Sequence, residues 1–260
     1  MKISKIDKKM VDCLWLNKEV PNGLQNYLKV EVDFDFTLDK KGEDVKVNYY
    51  VNHMKINNRR GPANYLVIIP GYSVKSFCWD VESVLQYQSI LVEKGFTDVL
   101  IFNLGGCKEP KSKFSKAGKR DELDQLITKY VKRCLVEAFN FTEKTNCALL
   151  GRSAGGGIAI RLSSNKNNTF IKKLYLMAPG HDNTGLSGFL SGVGKDKKIP
   201  VRIGWVECDN KVPIEPKGYN MEKQMKDNKY GDFKMVVNKK IKCNDESVFH
   251  RLVLDFLKSW

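Results

Sequence analysis

The sequence predicts an α/β fold with a mostly parallel, eight-stranded sheet and helices on both of its faces. Short runs of almost continuously apolar residues recur along the chain, and such runs are typical of parallel strands covered on both faces. Stretches with apolar residues at helical spacing separate these runs. Two earlier segments alternate apolar and polar residues instead, which is typical of half-exposed antiparallel strands. The regular alternation of strand and helix that follows favours a parallel sheet.

The elements can be assigned in order along the chain. Alternation predicts two antiparallel strands, over residues 27–38 and 45–51. Apolar runs then predict six further strands, over residues 65–69, 98–104, 147–150, 173–178, 201–207 and 233–238. Helical spacing predicts intervening and final helices over residues 80–95, 120–140, 155–164, 215–228 and 251–260.

Length and composition favour a single domain. A chain of 260 residues, 42% hydrophobic and 28% charged, can bury a sizeable core. We expect one domain over residues 1–260, with an N-terminal extension over residues 1–26 and a short lid-like insertion over residues 180–199. No apolar run approaches the roughly 18 residues of a membrane span, and the start of the chain lacks the apolar core of a signal peptide. We therefore expect a cytoplasmic protein.

Cysteine and histidine usage predicts neither a disulfide framework nor a metal site. The cysteines are odd in number, widely spaced and never in a CxxC pair, so we expect reduced thiols; they are Cys13, Cys78, Cys107, Cys134, Cys147, Cys208 and Cys243. The histidines lie far apart without HExxH spacing; they are His53, His181 and His250. We expect no metal and no cofactor.

The chain has a large excess of positive charge, for which a solvated lysine-rich surface is the favoured explanation. The formal net charge of +14 raises the prospect of nucleic acid, a membrane surface or an anionic substrate, although a solvated lysine-rich surface accounts for the same charge. One loop concentrates basic residues against the single acid Glu109: Lys108, Lys111, Lys113, Lys116, Lys119 and Arg120. Over a substrate site this loop would favour an anionic substrate such as a lysophospholipid or acyl-CoA; as a surface charge run it has no such meaning.

The stretch "LLGRSAGGG" places a serine where a nucleophile elbow would have one. Gly151, Ser153 and Gly155 fit the pattern G-x-S-x-G, directly after a predicted strand and directly before a predicted helix. A turn this sharp strains the serine backbone and leaves no room for side chains two residues away, which explains both glycines. The helix N-terminus would stabilise negative charge at the hydroxyl. The pattern therefore favours Ser153 as a nucleophile over a small residue in a tight connection.

An acid and a base follow Ser153 in the order that a serine nucleophile requires. Asp209 lies just past the predicted strand in "WVECDNKVP", and His250 lies between the last predicted strand and the last predicted helix. Taken singly, Asp209 is more safely interpreted as a turn residue and His250 as a helix cap. Asp182 and His181 also follow a strand, and we favour Asp209 and His250 over them.

Acyl transfer also needs two backbone N–H groups that point at the oxyanion. One comes from the residue after the nucleophile and the other from the loop after the third strand. By position these are the N–H groups of Ala154 and Tyr72. On its own, "IIPGYS" reads as a plain turn.

Taken together, these motifs resemble the α/β-hydrolase superfamily, within its lipase, esterase and lysophospholipase-like members. The resemblance rests on "VIIPGYS" followed by Trp79, "GRSAGG", "MAPG", "WVECDNKVP" and His250 before "LVLDFL". It implies Ser153 as nucleophile, Asp209 as acid, His250 as base, and Tyr72 and Ala154 as the oxyanion hole.

The chain departs from the superfamily pattern in three places. Pro70 stands where the family often has histidine, and "GGCKEPKSKFS" replaces a frequent G-x-G-x-S. The segment over residues 180–199 is short where many members have a large cap. Its apolar residues fit either a mobile flap over an acyl chain or ordinary packing; they are Leu186, Phe189, Leu190 and Val193.

We therefore predict a serine hydrolase that cleaves carboxylic esters or thioesters through an acyl-enzyme. Its substrate would be a small-molecule acyl ester, anionic or lipid. Peripheral membrane contact fits the basic charge, and no specific nucleic acid is expected. Two alternatives stay open: a small serine peptidase of the same fold, because the same triad cleaves amides, and a non-catalytic binding protein that uses its basic surface.

Overall fold

Nine strands of the described residues form one sheet in the computed structural model. The structure describes residues 2–5, 27–32, 47–57, 61–71, 81, 83–104, 120–180, 183–192, 199–209 and 212–239. The strands are β1 (Lys2–Lys5), β2 (Tyr27–Val32), β3 (Val47–Lys55), β4 (Asn64–Ile69), β5 (Asp98–Asn103), β6 (Asn146–Arg152), β7 (Ile171–Met177), β8 (Val201–Val206) and β9 (Phe233–Asn238).

The strand order in the sheet is β1-β2-β3-β5-β4-β6-β7-β8-β9. All pairings from β5 across to β9 are parallel, whereas β1 with β2, β2 with β3, and β3 with β5 are antiparallel. Because β4 lies between β5 and β6, the order reverses at the centre of the sheet. In open α/β sheets, ligands bind beyond the carboxyl ends of the strands at such a point.

The sequence-based fold class is confirmed, and the sheet has one strand more than the predicted eight. The additional strand, β1, lies in the segment predicted as an N-terminal extension and pairs antiparallel with β2. Its sequence "KISK" is short and has a single apolar residue, Ile3. Edge pairing depends on backbone hydrogen bonds, so it leaves little trace in the pattern of side chains.

Five α-helices accompany the sheet in the described part of the chain. They are α1 (Gln88–Glu93), α2 (Arg120–Arg133), α3 (Ala154–Ser164), α4 (Asn183–Ser191) and α5 (Ile214–Asp227). Residues 83–86 are also helical, and α2 continues into a π-helical turn, Cys134–Ala138. The helix predicted over residues 251–260 lies outside the described residues. Within the described ranges, no helix is both long and apolar enough to cross a membrane.

Helix α4 occupies the segment predicted as a lid, and its apolar side chains belong to the core. Leu186, Phe189 and Leu190 are only 1%, 1% and 2% exposed. The ring of Phe189 lies 5.5 Å from that of Tyr230, whose hydroxyl donates to the carbonyl of Ile199. Ordinary packing thus accounts for these three residues, while Val193 lies outside the described residues. The helix was not predicted because glycine and serine lower helix propensity, which burial here overrides.

We expect that replacing Phe189 with alanine lowers the free energy of unfolding by about 3–5 kcal/mol. The ring is almost completely buried, so its removal loses apolar burial and leaves a cavity. Urea unfolding measures the change. Ser187→Ala, at an exposed position of the same helix, is the control and should change the free energy by less than about 0.5 kcal/mol. Equal stabilities of the two variants would contradict the placement of Phe189 in the core.

The described cysteines correct one part of the thiol prediction. Cys134 and Cys147 are free and buried, as expected, and burial raises the pKa of the Cys134 thiol to about 12 and also raises the pKa of Cys147. Cys208, however, is disulfide-bonded, so the prediction of a thiol there is wrong. A disulfide whose cysteines are not in a CxxC pair leaves no local spacing signal. Because disulfides are rare in the cytosol, Cys208 gives no support to the expected cytoplasmic location.

Candidate active site

Ser153 lies in a strained turn between β6 and α3. Strand β6 ends at Arg152 and helix α3 begins at Ala154, so the serine alone forms the connection. Its φ and ψ angles are 51° and −123°. A positive φ is disfavoured for a residue with a side chain, and such strain concentrates at functional sites. Ser153 therefore has the backbone that a nucleophile elbow requires.

Two glycines give this turn the clearance that it needs. A Cβ atom on Gly155 would lie 1.9 Å from the carbonyl oxygen of Ile69 and 2.5 Å from that of Pro70. On Gly151 it would lie 2.6 Å from the carbonyl oxygen of Gly155 and 2.7 Å from the Cβ atom of Ala159. Both glycines are thus explained by steric clearance. The close approach at Gly155 also brings the start of α3 against the end of β4, where the loop "PGYS" begins.

The backbone of Ser153 is held on both sides by hydrogen bonds. Its N–H donates to the carbonyl oxygen of Met177 over 3.0 Å. Its carbonyl oxygen accepts from the N–H groups of Gly156, at 2.9 Å, and Gly180, at 2.6 Å. A strained backbone conformation persists where the surrounding structure enforces it, and these three hydrogen bonds enforce it at Ser153.

The N-terminus of α3 provides positive potential beside Ser153. No acidic residue lies in the first turn of this helix and no side chain caps it. The aligned peptide dipoles place roughly half an elementary positive charge at a helix N-terminus. Negative charge that develops beside Ser153 would therefore be stabilised, and the N–H of Ala154 is the donor that follows the serine directly.

Asp209 lies in a turn that closes just beyond β8. The N–H of Asp209 donates to the carbonyl of Val206 over 3.1 Å, and its Oδ1 accepts the N–H of Val212 at 3.0 Å. The indole of the fully buried Trp205 donates to the carbonyl of the same Val212 over 2.8 Å. This network gives a physical reason for the spacing of tryptophan, aspartate and valine in "WVECDNKVP". The carboxylate is thereby fixed in place at the carboxyl edge of the sheet.

Ser153 and Asp209 belong to the same edge of the sheet. They follow β6 and β8, which are separated only by β7. Adjacent strands lie about 4.8 Å apart, so the two strand ends are roughly 10 Å from each other. A side chain that lies near the end of β7 could therefore bridge the serine and the aspartate. The positions of Tyr72, His250, His181 and Asp182 lie outside the described residues, as does the basic loop over residues 105–119.

The one described histidine, His53, lies at the opposite edge of the sheet. Its Nε2 is 2.7 Å from Oδ1 of Asp98, whose Oδ2 accepts the hydroxyl of Thr97 at 2.8 Å. Asp98 begins β5, so this pair is at the amino ends of the parallel strands, remote from Ser153. Burial, with a further contribution from Asp98, raises the pKa of the neighbouring Tyr65. We interpret this cluster as structural.

One contributor to the site was missed in the sequence. The turn over residues 178–180, after β7, donates the hydrogen bond from Gly180 to Ser153, and Ala178 in it has a φ of 39°. The motif "MAPG" contains these residues, but a backbone donor has no side-chain signature. The proline–glycine pair directly after a buried strand indicates a turn, but not the hydrogen bond that the turn makes. Among the described residues, no group of three or more His, Cys, Asp or Glu could hold a metal ion.

Comparison with known proteins gives the fold of the chain. A thermostable esterase is similar with a TM-score of 0.56 and 12% identity, over 92% of this chain and 64% of that protein. Est1E from Butyrivibrio proteoclasticus has a TM-score of 0.52 and 17% identity, over 89% of this chain and 98% of that protein. An α/β serine hydrolase homologue from Coxiella burnetii has a TM-score of 0.51 and 15% identity, over 82% of this chain and 89% of that protein. No protein-family model and no curated protein sequence matches the chain. The chain has the α/β-hydrolase fold.

Proposed function

We propose that the protein is a serine hydrolase that cleaves carboxylic esters or thioesters through an acyl-enzyme on Ser153. The observation that carries this proposal is the backbone of Ser153, at a φ of 51° in the connection between β6 and α3. Strain of this kind costs on the order of 1–3 kcal/mol. A serine that only connected two elements would need neither this strain nor the two glycines that accommodate it.

The chemistry follows from the proposed roles of the residues. The Oγ of Ser153 attacks the carbonyl carbon of the ester while His250 takes the hydroxyl proton. Asp209 orients the imidazole and stabilises its positive charge. The N–H groups of Ala154 and Tyr72 bind the oxyanion of the tetrahedral intermediate. His250 then gives the proton to the departing alcohol or thiol. Water, activated by the same histidine, finally attacks the acyl-enzyme, and the carboxylic acid leaves Ser153.

Three further observations support the proposal. The N-terminus of α3 carries no acidic residue that would offset its positive potential. The carboxylate of Asp209 is fixed by Val212 at the same sheet edge as Ser153. Esterases and a serine hydrolase homologue are among the proteins of similar fold. The chain spans only 64% of the length of the thermostable esterase, so substrate and partners are argued from the residues of this chain alone.

The substrate we propose is a small-molecule acyl ester. Leu186, Phe189 and Leu190 are buried in the core and therefore do not supply an apolar surface for an acyl chain. This removes the main sequence argument for a flap specialised for long lipids. The net charge of +14 still favours an anionic ester over a cationic one through long-range attraction.

A fluorophosphonate probe tests the nucleophile directly. This probe phosphonylates activated serines, so we expect it to label the wild-type protein with one group per chain. Ser153→Ala should abolish the labelling, because the attacking oxygen is gone. Ser187→Ala removes an exposed serine of α4 and should label like the wild type. Labelling of Ser153→Ala at the wild-type rate would overturn the proposal.

Substrate comparison separates the ester hydrolase from a peptidase with the same triad. We expect turnover of short nitrophenyl esters, with a burst of one nitrophenol per active site if deacylation is slow. Aminoacyl amides should react far more slowly. Faster cleavage of the amides would favour the peptidase. Salt-sensitive retention on heparin without any turnover would favour the binding protein.

A further inference from the structure

The turn over residues 178–180 meets Ser153 at the carboxyl edge of the sheet. It follows β7, and Ala178 extends the parallel ladder by donating its N–H to the carbonyl of Gly204 over 2.8 Å. Ala178 itself has a φ of 39°. Two non-glycine residues with positive φ, Ser153 and Ala178, therefore lie at the ends of neighbouring strands. Strained residues that cluster in this way indicate a functional site.

Hydrogen bonds join this turn to both peptide groups of Ser153. The carbonyl of Met177, just before the turn, accepts the N–H of Ser153 at 3.0 Å, and the N–H of Gly180 donates to the carbonyl of Ser153 at 2.6 Å. The second bond is at the short end of the range for N–H···O. With Gly156 as its other donor, this carbonyl has both of its lone pairs used.

Packing holds the turn against the first turn of α3. A Cβ atom on Gly156 would lie 2.4 Å from the Cβ and 2.7 Å from the Cα of Pro179. Pro179 is buried, and its ring fixes its own φ and brings no N–H that would need a partner. The turn can therefore shift little without disturbing the start of α3.

The bond from Gly180 has a consequence for the residue after the nucleophile. The carbonyl of Ser153 and the N–H of Ala154 belong to one planar, trans peptide group, so they point in opposite directions. Whatever fixes the direction of this carbonyl also fixes the direction of the Ala154 N–H. Rotation of this peptide plane would turn the N–H away from the position of the oxyanion.

We propose that the turn over residues 178–180 is a positioning element, in which the N–H of Gly180 aims the N–H of Ala154 at the oxyanion. This inference rests on the proposed serine hydrolase function and adds a residue that acts through Ala154 without touching the substrate. Loss of one oxyanion donor lowers kcat by about 10²- to 10³-fold. Because Gly156 still holds the carbonyl of Ser153, loss of the Gly180 donor should cost less, about 10- to 100-fold.

Two variants at position 180 separate the donor from its surroundings. Gly180→Pro removes the N–H. Gly180→Ala keeps it, but its Cβ would lie 3.3 Å from the carbonyl oxygen of Ser153, so that peptide group must shift by a few tenths of an ångström. A third variant replaces the Gly180 amide with an ester by incorporation of glycolic acid, which removes the N–H and adds no bulk. This variant decides the question if Gly180→Pro does not fold.

The readouts are kcat and KM for a nitrophenyl ester, and the affinity for a trifluoromethyl ketone, which forms an oxyanion on Ser153. We expect the proline and ester variants to lose about 10- to 100-fold in kcat, and the same factor in affinity for the ketone, with KM changed less than about threefold. Gly180→Ala should lose less than the proline and ester variants, because it keeps the N–H. If the turn had only a structural role, its loss would not lower kcat while leaving KM nearly unchanged.

Two results would overturn the inference. One is an ester variant with wild-type kcat; the other is a loss that Gly180→Ala shares in full. Fluorophosphonate labelling of the wild type distinguishes these results from failure of the proposed function. An unlabelled wild type contradicts both proposals, since the turn would then have no oxyanion site to order. A labelled wild type beside an unimpaired ester variant contradicts the positioning role alone.

Discussion

Replacing Asp209 with asparagine is expected to lower kcat by about 10⁴-fold with little change in stability. Asparagine keeps an oxygen that can accept the N–H of Val212, so the turn beyond β8 stays closed. It lacks the negative charge that stabilises the imidazolium, and its amide favours the wrong tautomer of the base. The loss should therefore appear in kcat, while urea unfolding remains close to that of the wild type.

Comparison with two other aspartates makes this test specific. Asp227→Asn, at the exposed C-terminal end of α5, removes the same charge away from the site and should leave kcat unchanged. Asp182→Asn tests the other acid that the sequence offers. If Asp182→Asn loses activity and Asp209→Asn does not, the acid is Asp182, and the ordered turn at Asp209 serves stability alone.

Alanine at position 209 should have an additional effect on folding. It removes the acceptor of the Val212 N–H, and a partly buried donor left without its partner costs about 1–3 kcal/mol. The difference in stability between Asp209→Ala and Asp209→Asn thus measures how much the hydrogen bond to Val212 stabilises the fold. The loss of activity common to both variants measures how much the negative charge contributes to catalysis. The same carboxylate is therefore expected to have two separable roles.

The parallel strands were predicted closely because burial on both faces imposes an apolar run. Residues 201–207 were predicted as a strand, and β8 covers 201–206 with five of its six residues buried; residues 65–69 differ from β4 by one residue. The elements that were missed are those whose formation depends on partners elsewhere in the chain. β1 pairs with β2 at the sheet edge, and α4 packs its apolar side chains into the core although it is rich in glycine and serine.

In the candidate site, too, local requirements were predicted, and contacts between residues distant in the sequence were not. The glycines around Ser153 were predicted because steric clearance in a sharp turn is a local requirement, and Cβ atoms at both would clash with backbone. The sequence shows only the spacing of Trp205, Asp209 and Val212. The hydrogen bonds in the structure explain that spacing. The bond from Gly180 to Ser153 could not be predicted, because any residue except proline has the same donor.

The tightest of these contacts joins the start of α3 to the end of β4, and it allows a sharp prediction. Gly155→Ala would place a Cβ 1.9 Å from the carbonyl oxygen of Ile69, 2.5 Å from its carbon and 2.5 Å from the oxygen of Pro70. All three atoms are backbone, so no side chain can rotate away. Either α3 or the loop after β4 must move, and each of them is proposed to supply an oxyanion donor.

We therefore expect Gly155→Ala to lower the free energy of unfolding by about 3 kcal/mol, the upper end for overpacked sites, and kcat by about 100-fold, as misplacement by about 1 Å can do. Gly188→Ala is the matched control, because its Cβ meets no atom closer than Ser164 at 4.0 Å. That variant should keep full activity and gain about 0.5–1 kcal/mol from helix propensity. Urea unfolding and ester turnover measure both effects. If Gly155→Ala behaved like Gly188→Ala, the two oxyanion donors would not depend on the contact between α3 and β4, and the preorganisation proposed for Ala154 would have to come from the turn over residues 178–180 alone.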